Sequence, residues 1–339
     1  MVLKKSKEGV VFMEFEKTIQ LYLEYCMSKQ LRKRSLNAYE QTLRLFGIWL
    51  RQEGIQEVEG IKDSTIRRYI LNLQNRGKYT TSVDKKKELI NYPERRTDYG
   101  KRISNLTINN YLRNLRGYFT WLVEMEYLEK NPMQKIRLLH YERTGKEYLE
   151  DAEVKMLLGV LDKNIYSEYR DMVAAMVMLD SGMRLGEVLS MEREQLDLVQ
   201  KTITLPAEKT KGRKARTVFF SQRTARELRQ WIRYKEETCK SAYVFPVKRD
   251  GGKLSLHNYE TNFRKYLRRT PITKHVSPHT LRNNFAKRCL MSGMDIYTLS
   301  RLLGHSSVTV TEKAYLDVKD HELRKNYIQH SPLDGVYRR

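Results

Sequence analysis

The sequence predicts a mainly α-helical protein of two domains that carries one small antiparallel β-sheet. Its 339 residues suffice for two domains, at about 100–200 residues each. Apolar residues recur at helical spacing through residues 12–130, which predicts a bundle of four amphipathic helices. Beyond residue 148 the helical pattern continues, but residues 202–205 and 217–220 are rich in the β-branched and aromatic side chains typical of strands.

The first predicted domain spans residues 12–130, and each of its helices has one apolar face. These faces are formed by Phe15, Ile19, Tyr22, Leu23 and Cys26; by Leu36, Tyr39, Leu43, Phe46 and Leu50; by Ile66, Tyr69, Ile70 and Leu73; and by Ile108, Leu112, Leu115, Phe119 and Leu122. Arg113 and Arg116 lie off the fourth face. We therefore expect these two arginines to be available to a partner of the bundle.

A basic stretch, residues 76–102, separates the third and fourth predicted helices. It holds nine basic residues against four acidic ones and has no clear apolar period. Two interpretations stay open, a mobile surface insertion and a loop that follows DNA. Pro132 disfavours helix at the residue before it, so the bundle is predicted to end there. The polar residues 131–148 are predicted to form a linker.

The second predicted domain spans residues 149–330. An apolar helix is expected over 167–181, and a basic turn at 209–214 is expected to join the two strands named above. A further short strand is predicted at 242–245. Further helices are predicted at 221–234, 256–267, 278–291, 296–303 and from 308 onward.

Net charge is the first indication of function. Lysine and arginine number 64 and aspartate and glutamate 41, a net charge of +23, which favours a nucleic acid over an anionic lipid surface as the partner.

No apolar run approaches the roughly 18–20 residues that a membrane span needs. The three cysteines form no metal-ligand pair and no disulfide framework. We expect a soluble, cytoplasmic protein.

Several familiar catalytic motifs are missing from the sequence. It contains no Walker loop, no HExxH motif, no glycine-rich dinucleotide motif and no histidine pair at metal-ligand spacing. A protein of this kind that breaks phosphodiesters is expected to do so without a metal or another cofactor. Such a reaction needs cations around the phosphate, a nucleophile, and an acid for the leaving oxygen.

The second domain offers these groups in order along the chain. Arg184 stands at a glycine-marked turn, and His279 and Arg282 lie three residues apart on a helix that Pro278 starts. His305 follows a helix that ends at a glycine. Each group alone has an ordinary interpretation, such as a helix-end histidine or solvated turn charges. One tyrosine among 22 is equally uninformative by itself.

Together, four stretches resemble the tyrosine recombinase (phage-integrase) family over residues 149–320. They are SGMRLGEVLSM, KTKGRKARTV, SPHTLRNNFA and LGHSSVTVTEKAYLDV, in the order that the family shows. The resemblance implies that residues 149–330 form the catalytic domain. It also implies that the helical bundle is the family's SAM-like core-binding domain, which binds DNA.

The resemblance assigns a role to each candidate residue. Tyr315 would be the nucleophile that forms a 3′-phosphotyrosyl link, and tyrosine, with a usual pKa of about 10, needs nearby cations or a base for this. Arg184 and Arg282 would bind the phosphate, His305 would donate a hydrogen bond to it, and Glu187 would orient the site. Lys211, rather than Lys209 or Lys214, would be the general acid. His279 would act as the acid–base group near the tyrosine. Asn283 and Asn284 stand where many family members carry a further histidine.

Function and partners follow from the same resemblance. The expected partners are double-stranded recombination sites, three further copies in a homotetramer that exchanges a segment near 319–328, and accessory DNA-bending proteins. Strand exchange would pass through a Holliday junction, and the insertion favours a mobile element (a transposon) over chromosome resolution. The candidate DNA contacts are Lys85, Lys86, Lys87, Arg95, Arg96, Arg113 and Arg116. Two alternatives stay open, a relaxing enzyme like type IB topoisomerases and a DNA-binding protein without catalysis.

Overall fold

The computed structural model describes residues 4–5, 11–83, 92–142, 145, 147–210, 214–305 and 307–315. The chain divides into two compact units, Met1–Arg143 and Thr144–Arg339, which we call unit 1 and unit 2. None of the described helices is both long and apolar enough to cross a bilayer.

Unit 1 is a helical bundle with a short antiparallel hairpin near its start. Its hairpin strands are β1 (Lys4–Lys5) and β2 (Val11–Phe12), and its helices are α1 (Phe15–Ser28), α2 (Lys33–Gln52), α3 (Asp63–Asn75) and α4 (Asn105–Glu124). The predicted apolar faces supply most of the core, which is dense in aromatic rings that pack edge to face. The Ser104 hydroxyl caps α4 by accepting a hydrogen bond from the backbone nitrogen of Thr107 at 3.3 Å.

The first part of the predicted linker packs on this bundle. Met133 and Ile136 are buried in the unit 1 core, because two apolar side chains three residues apart share one face of the segment. The Asn109 side chain also exchanges two hydrogen bonds with the backbone of Leu139, both 2.8 Å long. The first residues of the predicted linker therefore pack on the bundle, as far as residue 139.

The basic insertion is closed at its base by backbone pairing. The Lys78 nitrogen donates to the Lys101 carbonyl at 2.8 Å, and the Gly100 nitrogen donates to the Lys78 carbonyl at 3.0 Å. A side chain at Gly77 would place its Cβ 2.6 Å from the Cα of Gly100, so the close approach of the two segments requires glycine at position 77. The two ends of the insertion therefore have a defined structure.

Unit 2 is mainly α-helical and contains one three-stranded antiparallel sheet. Its helices are α5 (Asp151–Gly159), α6 (Tyr166–Ser181), α7 (Leu185–Leu189), α8 (Gln222–Thr238), α9 (Leu256–Leu267), α10 (Pro278–Met291), α11 (Ile296–Leu303) and α12 (Val308–Tyr315). The strands are β3 (Leu196–Asp197), β4 (Thr202–Leu205) and β5 (Arg216–Phe219), in the order β3-β4-β5. This mainly helical architecture with a small antiparallel sheet confirms the predicted fold class.

One predicted strand of unit 2 is wrong. Residues 242–245 form only an isolated bridge, between Glu192 and Tyr243, while Val244 and Phe245 are buried in the core. Their apolar character reflects this burial and not membership of the sheet. The true third strand, β3, has only two residues, which is too short for an alternating pattern to show in the sequence.

Candidate active site

Three arginine side chains meet at the C-terminal end of α11. The last carbonyl groups of a helix have no partner within the helix and carry partial negative charge, so they attract cations. Here three consecutive carbonyls each accept a hydrogen bond from a different arginine. The pairs are Arg216 Nε to Leu302 at 3.0 Å, Arg282 Nη2 to Leu303 at 2.7 Å and Arg184 Nη2 to Gly304 at 3.3 Å.

Arg184 lies at the turn between α6 and α7, as its motif predicted. Gly182 ends α6 with a φ of +65°, and a Cβ there would lie 2.3 Å from the ring of Phe285. This turn directs Arg184 towards Glu187, whose carboxylate accepts both the Arg184 backbone nitrogen at 2.9 Å and Nη1 at 3.1 Å. The Arg184 side chain keeps 24% of its surface exposed, so it is open to a ligand.

Glu187 is buried and is shared by two arginines. Arg216 Nη1 and Nη2 donate to its two carboxylate oxygens at 3.1 and 2.6 Å, a forked geometry that suits a guanidinium and a carboxylate. Burial favours a raised pKa for Glu187, but the hydrogen bonds and positive charge of Arg216, helped by Arg184, lower the pKa below its usual value. Glu187 is therefore ionised at neutral pH, and it orients both arginines.

Arg216 is the member of the cluster that sequence reasoning missed. It lies within the KTKGRKARTV stretch, yet no role was assigned to it. A signal was present, because side chains two residues apart on a strand share a face and Val218 of β5 is fully buried. The same spacing turns Arg216 inward.

Arg282 is almost fully buried and contacts His305. Besides Leu303, it donates to the Gly182 carbonyl at 2.7 Å, and its Nη2 lies 3.1 Å from Nε2 of His305. A guanidinium can only donate, so Nε2 accepts and the ring proton belongs on Nδ1. Nδ1 then donates to the hydroxyl of Thr311 at 2.7 Å. These contacts give His305 a defined orientation and tautomer.

The remaining predicted catalytic residues differ in how far the structure describes them. His279 is exposed in the first turn of α10, one turn before the buried Arg282. Tyr315 is the last residue of α12, four residues after the buried Thr311. Lys211 lies outside the described residues. On the two sides of that gap, the Thr210 hydroxyl donates to the Lys214 carbonyl at 3.0 Å, and the Lys214 nitrogen lies 3.1 Å from the same hydroxyl.

The candidate DNA contacts belong to unit 1. Arg113 of α4 is exposed and bonds only locally, to the Asn110 side chain at 2.8 Å. Arg116 is half-buried and donates to the Ile136 carbonyl at 2.6 Å, so part of its hydrogen-bonding capacity is used within the unit. In the insertion, Arg95 and Arg96 lie over tyrosine rings, those of Tyr92 and Tyr79 respectively, each at 4.2 Å. Lys85, Lys86 and Lys87 lie outside the described residues.

Across the residues that the structure describes, no three or more histidine, cysteine, aspartate or glutamate side chains are grouped so that they could hold a metal ion. What the cluster in unit 2 offers is positive charge and hydrogen-bond donors, which suit a phosphate.

Comparison with known proteins identifies this arrangement. A model of the phage integrase family matches residues 147–322, just over half of the chain, and a model of the phage integrase N-terminal SAM-like domain matches residues 19–87. The fold and the site therefore define an enzyme of the tyrosine recombinase class. The chain belongs to the phage integrase family, which confirms the predicted family and the predicted SAM-like and catalytic domains.

Individual relatives are distant but extend over most of the chain. The tyrosine recombinase XerC of Bacillus pumilus (strain SAFR-032) is 24% identical over 94% of this chain and 97% of its own length. The XerC of Bacillus subtilis (strain 168) is 27% identical over 69% of this chain and 77% of its own.

Two solved structures share the fold. The Tn1549 transposon integrase in complex with transposon right end DNA has a TM-score of 0.69 at 17% identity, and the match covers 94% of this chain and all of that one. A lambda integrase tetramer bound to a Holliday junction has a TM-score of 0.63 at 13% identity, over 88% of this chain and 79% of that one.

Proposed function

We propose that this protein is a site-specific recombinase that cuts and rejoins duplex DNA through a transient 3′-phosphotyrosyl link to Tyr315. The observation that carries the proposal is the convergence of Arg184, Arg216 and Arg282 beside His305 at the end of α11. Three guanidinium charges face one carboxylate, that of Glu187, so the cluster keeps a surplus of positive charge. A scissile phosphate needs such a surplus, because its transition state spreads negative charge over the non-bridging oxygens.

Within this cluster Arg184 and His305 are the groups that would contact the phosphate most directly. Arg184 is the most exposed of the three arginines whose side chains meet at α11. His305 would donate to the phosphate through Nε2, which requires Arg282 to release that nitrogen as it turns to the phosphate. Arg282 would then hold the other non-bridging oxygen.

The nucleophile is proposed to reach the phosphate from α12. Thr311 connects α12 to His305, and Tyr315 follows one helical turn later on the same helix. The Tyr315 oxygen would form a bond to phosphorus while the bond from phosphorus to the 5′ oxygen breaks, and Lys211 would supply the proton that the 5′ oxygen takes up. His279 would take the proton from Tyr315. Attack by a 5′-hydroxyl on the phosphotyrosine reverses the sequence, so rejoining needs no ATP.

Unit 1 is proposed to bind the same duplex through α4 and the basic insertion. Arg113 is exposed on α4, where it can pair with a phosphate. In the insertion the rings of Tyr79 and Tyr92 hold Arg96 and Arg95 at the surface, which lowers the entropy that these side chains lose on binding. Because the base of the insertion is closed by backbone pairing, it can present these charges as a unit. Lys85, Lys86 and Lys87 are proposed as further contacts.

The biological role proposed is integration and excision of a mobile element. The likeness to a transposon integrase supports this role, and the likeness to a lambda integrase tetramer on a Holliday junction supports a homotetramer that exchanges strands in two steps. In this proposal a segment near 319–328, outside the described residues, docks on a neighbouring copy. Accessory DNA-bending proteins complete the assembly.

The test is covalent trapping on DNA. The full-length protein is incubated in EDTA with nicked duplexes made from the DNA that flanks its own gene. Protein–DNA adducts that survive SDS are isolated, and the modified residue is identified by peptide mapping. We expect an adduct at Tyr315 that is lost in Tyr315→Phe and kept in Tyr297→Phe, a matched control at a tyrosine with 58% of its surface exposed.

Three results would contradict the proposal. An adduct at another residue would overturn the assignment of the nucleophile. Specific binding without an adduct would favour a DNA-binding protein. Relaxation of supercoiled plasmid by monomers without sequence preference would favour the topoisomerase-like alternative.

A further inference from the structure

We propose that Arg216 is a positioning residue that keeps Arg184 available to the scissile phosphate. The inference rests on the proposed function and adds to it a residue for which the motifs implied no role. Arg216 is not expected to touch DNA, since Leu302 and Glu187 engage all three nitrogens of its guanidinium. It would act through two contacts, with Glu187 and with the end of α11.

The first contact neutralises the carboxylate that would otherwise hold Arg184. The Oε1 atom of Glu187 lies 3.1 Å from Nη1 of Arg184 and 3.1 Å from Nη1 of Arg216, so the two arginines share one acceptor atom. With Arg216 present, the carboxylate is already paired by a fork, and Arg184 can leave it for a phosphate at little cost. Without Arg216, a buried Glu187 would have Arg184 as its nearest cation and would compete with the phosphate for it.

The second contact places the end of α11 beside the same guanidinium. Arg216 Nε donates to Leu302, two residues before Gly304, whose carbonyl accepts from Arg184. Gly304 has a φ of +64°, and a Cβ there would lie 2.9 Å from Nη1 of Arg216. The turn that leads to His305 is therefore packed directly on Arg216. Loss of the arginine would release both the turn and the partner of Arg184.

Replacing Arg216 by lysine distinguishes a positioning role from a role of the positive charge alone. Arg216→Lys keeps the positive charge but cannot donate to Leu302 and to both oxygens of Glu187 in one planar arrangement. We expect the single-turnover rate of adduct formation on the trapping duplex to fall by about 10- to 100-fold, less than the loss on removing a donor that touches the transition state. The affinity for the same duplex should change by less than about three-fold, because unit 1 and the phosphate-contacting groups remain.

The matched control is another forked arginine of unit 2. Arg269 donates to both oxygens of Glu168, at 2.6 and 3.0 Å, and lies outside the cluster. Arg269→Lys removes the same type of fork and should leave the adduct rate within about two-fold of wild type. An equal loss of rate in Arg269→Lys would mean that the effect belongs to arginine forks of unit 2 in general, and it would overturn the inference.

A double-mutant cycle tests whether Arg216 acts through Arg184. If it does, Arg184→Lys already removes the rate enhancement that Arg216 supports. Adding Arg216→Lys to that variant should then lower the rate of adduct formation by less than about three-fold. Multiplying losses in the double variant would overturn the inference, and so would a wild-type rate in Arg216→Lys alone. Absence of an adduct with the wild-type protein would refute the proposed function itself, whereas an active wild type with independent losses refutes only the role of Arg216.

Discussion

Replacing Gly304 by alanine tests whether the end of α11 depends on Arg216. An alanine at a φ near +64° costs about 1–2 kcal/mol through its own backbone. Its Cβ would also lie 2.9 to 3.0 Å from three atoms of the Arg216 side chain. That side chain cannot move without losing a hydrogen bond to Glu187 or Leu302, and a bond that involves a charged group is worth about 1.5–3 kcal/mol. We therefore expect Gly304→Ala to destabilise unit 2 by about 2.5–5 kcal/mol, the sum of the two contributions.

The matched control is Gly54→Ala in unit 1. Gly54 has a φ of +72° and no heavy atom within 4 Å of a built Cβ, so this variant should show the backbone cost alone, about 1–2 kcal/mol. Urea unfolding is followed by fluorine NMR of 5-fluorotryptophan, because Trp231 reports on unit 2 while Trp49 and Trp121 report on unit 1.

The same substitution in a variant that lacks the Arg216 side chain completes the test. In Arg216→Ala the side chain that the new Cβ would meet is gone. Gly304→Ala should then lower the unfolding free energy by the backbone cost alone, which corresponds to a coupling energy of about 2 kcal/mol between the two positions. The same cost in both backgrounds would refute the reasoning, because it would mean that Arg216 does not press on this turn.

Three further predictions concern stability, DNA binding and pH. Asn284 exchanges two hydrogen bonds with the backbone of Leu149, so Asn284→Leu should lower the unfolding free energy of unit 2 by about 2–4 kcal/mol in the same urea assay. Arg113→Ala should reduce the slope of log affinity against log salt by about 1, measured by titration of duplex DNA at several salt concentrations; Arg116→Ala should instead destabilise unit 1, because this side chain donates to a backbone carbonyl. Because the pKa of Glu187 is lowered on folding, its ionised form adds stability to unit 2 above the ordinary pKa of 4.5, and this stability is lost as the pH falls through the lowered pKa. Glu187→Gln should therefore weaken the dependence of the unfolding free energy of unit 2 on pH in the acid range. An unchanged dependence would contradict the pairing with Arg216.

The helices were accessible to sequence reasoning because their apolar faces repeat. In α4 the predicted residues Ile108, Leu112, Leu115 and Phe119 are all fully buried, and the spacing alone indicated this. Periodicity failed where an element was too short or where burial was not periodic. The two-residue strand β3 had no pattern to detect, and the buried pair Val244 and Phe245 suggested a strand that does not form.

The site was partly accessible for a different reason. Its motifs bring together rare combinations of residues, and the structure places Arg184, Glu187, Arg282 and His305 in one connected cluster. Arg216 escaped because an arginine at the start of a strand is common, and its partners are far away in sequence. The catalytic roles of all the predicted site residues stay predictions, and the trapping experiment tests that of Tyr315.

By itself the sequence determined the chemical inventory and its order: the types of side chain, the surplus of positive charge and the helical periods. These depend on residue identity and local spacing, which are printed in the chain. Only the tertiary structure decided that Arg184, Arg216 and Arg282 donate to three consecutive carbonyls at the end of α11. Every residue has a backbone carbonyl, so no motif marks which carbonyls an arginine will meet. That choice depends on how a helix end packs against segments as far as 120 residues away.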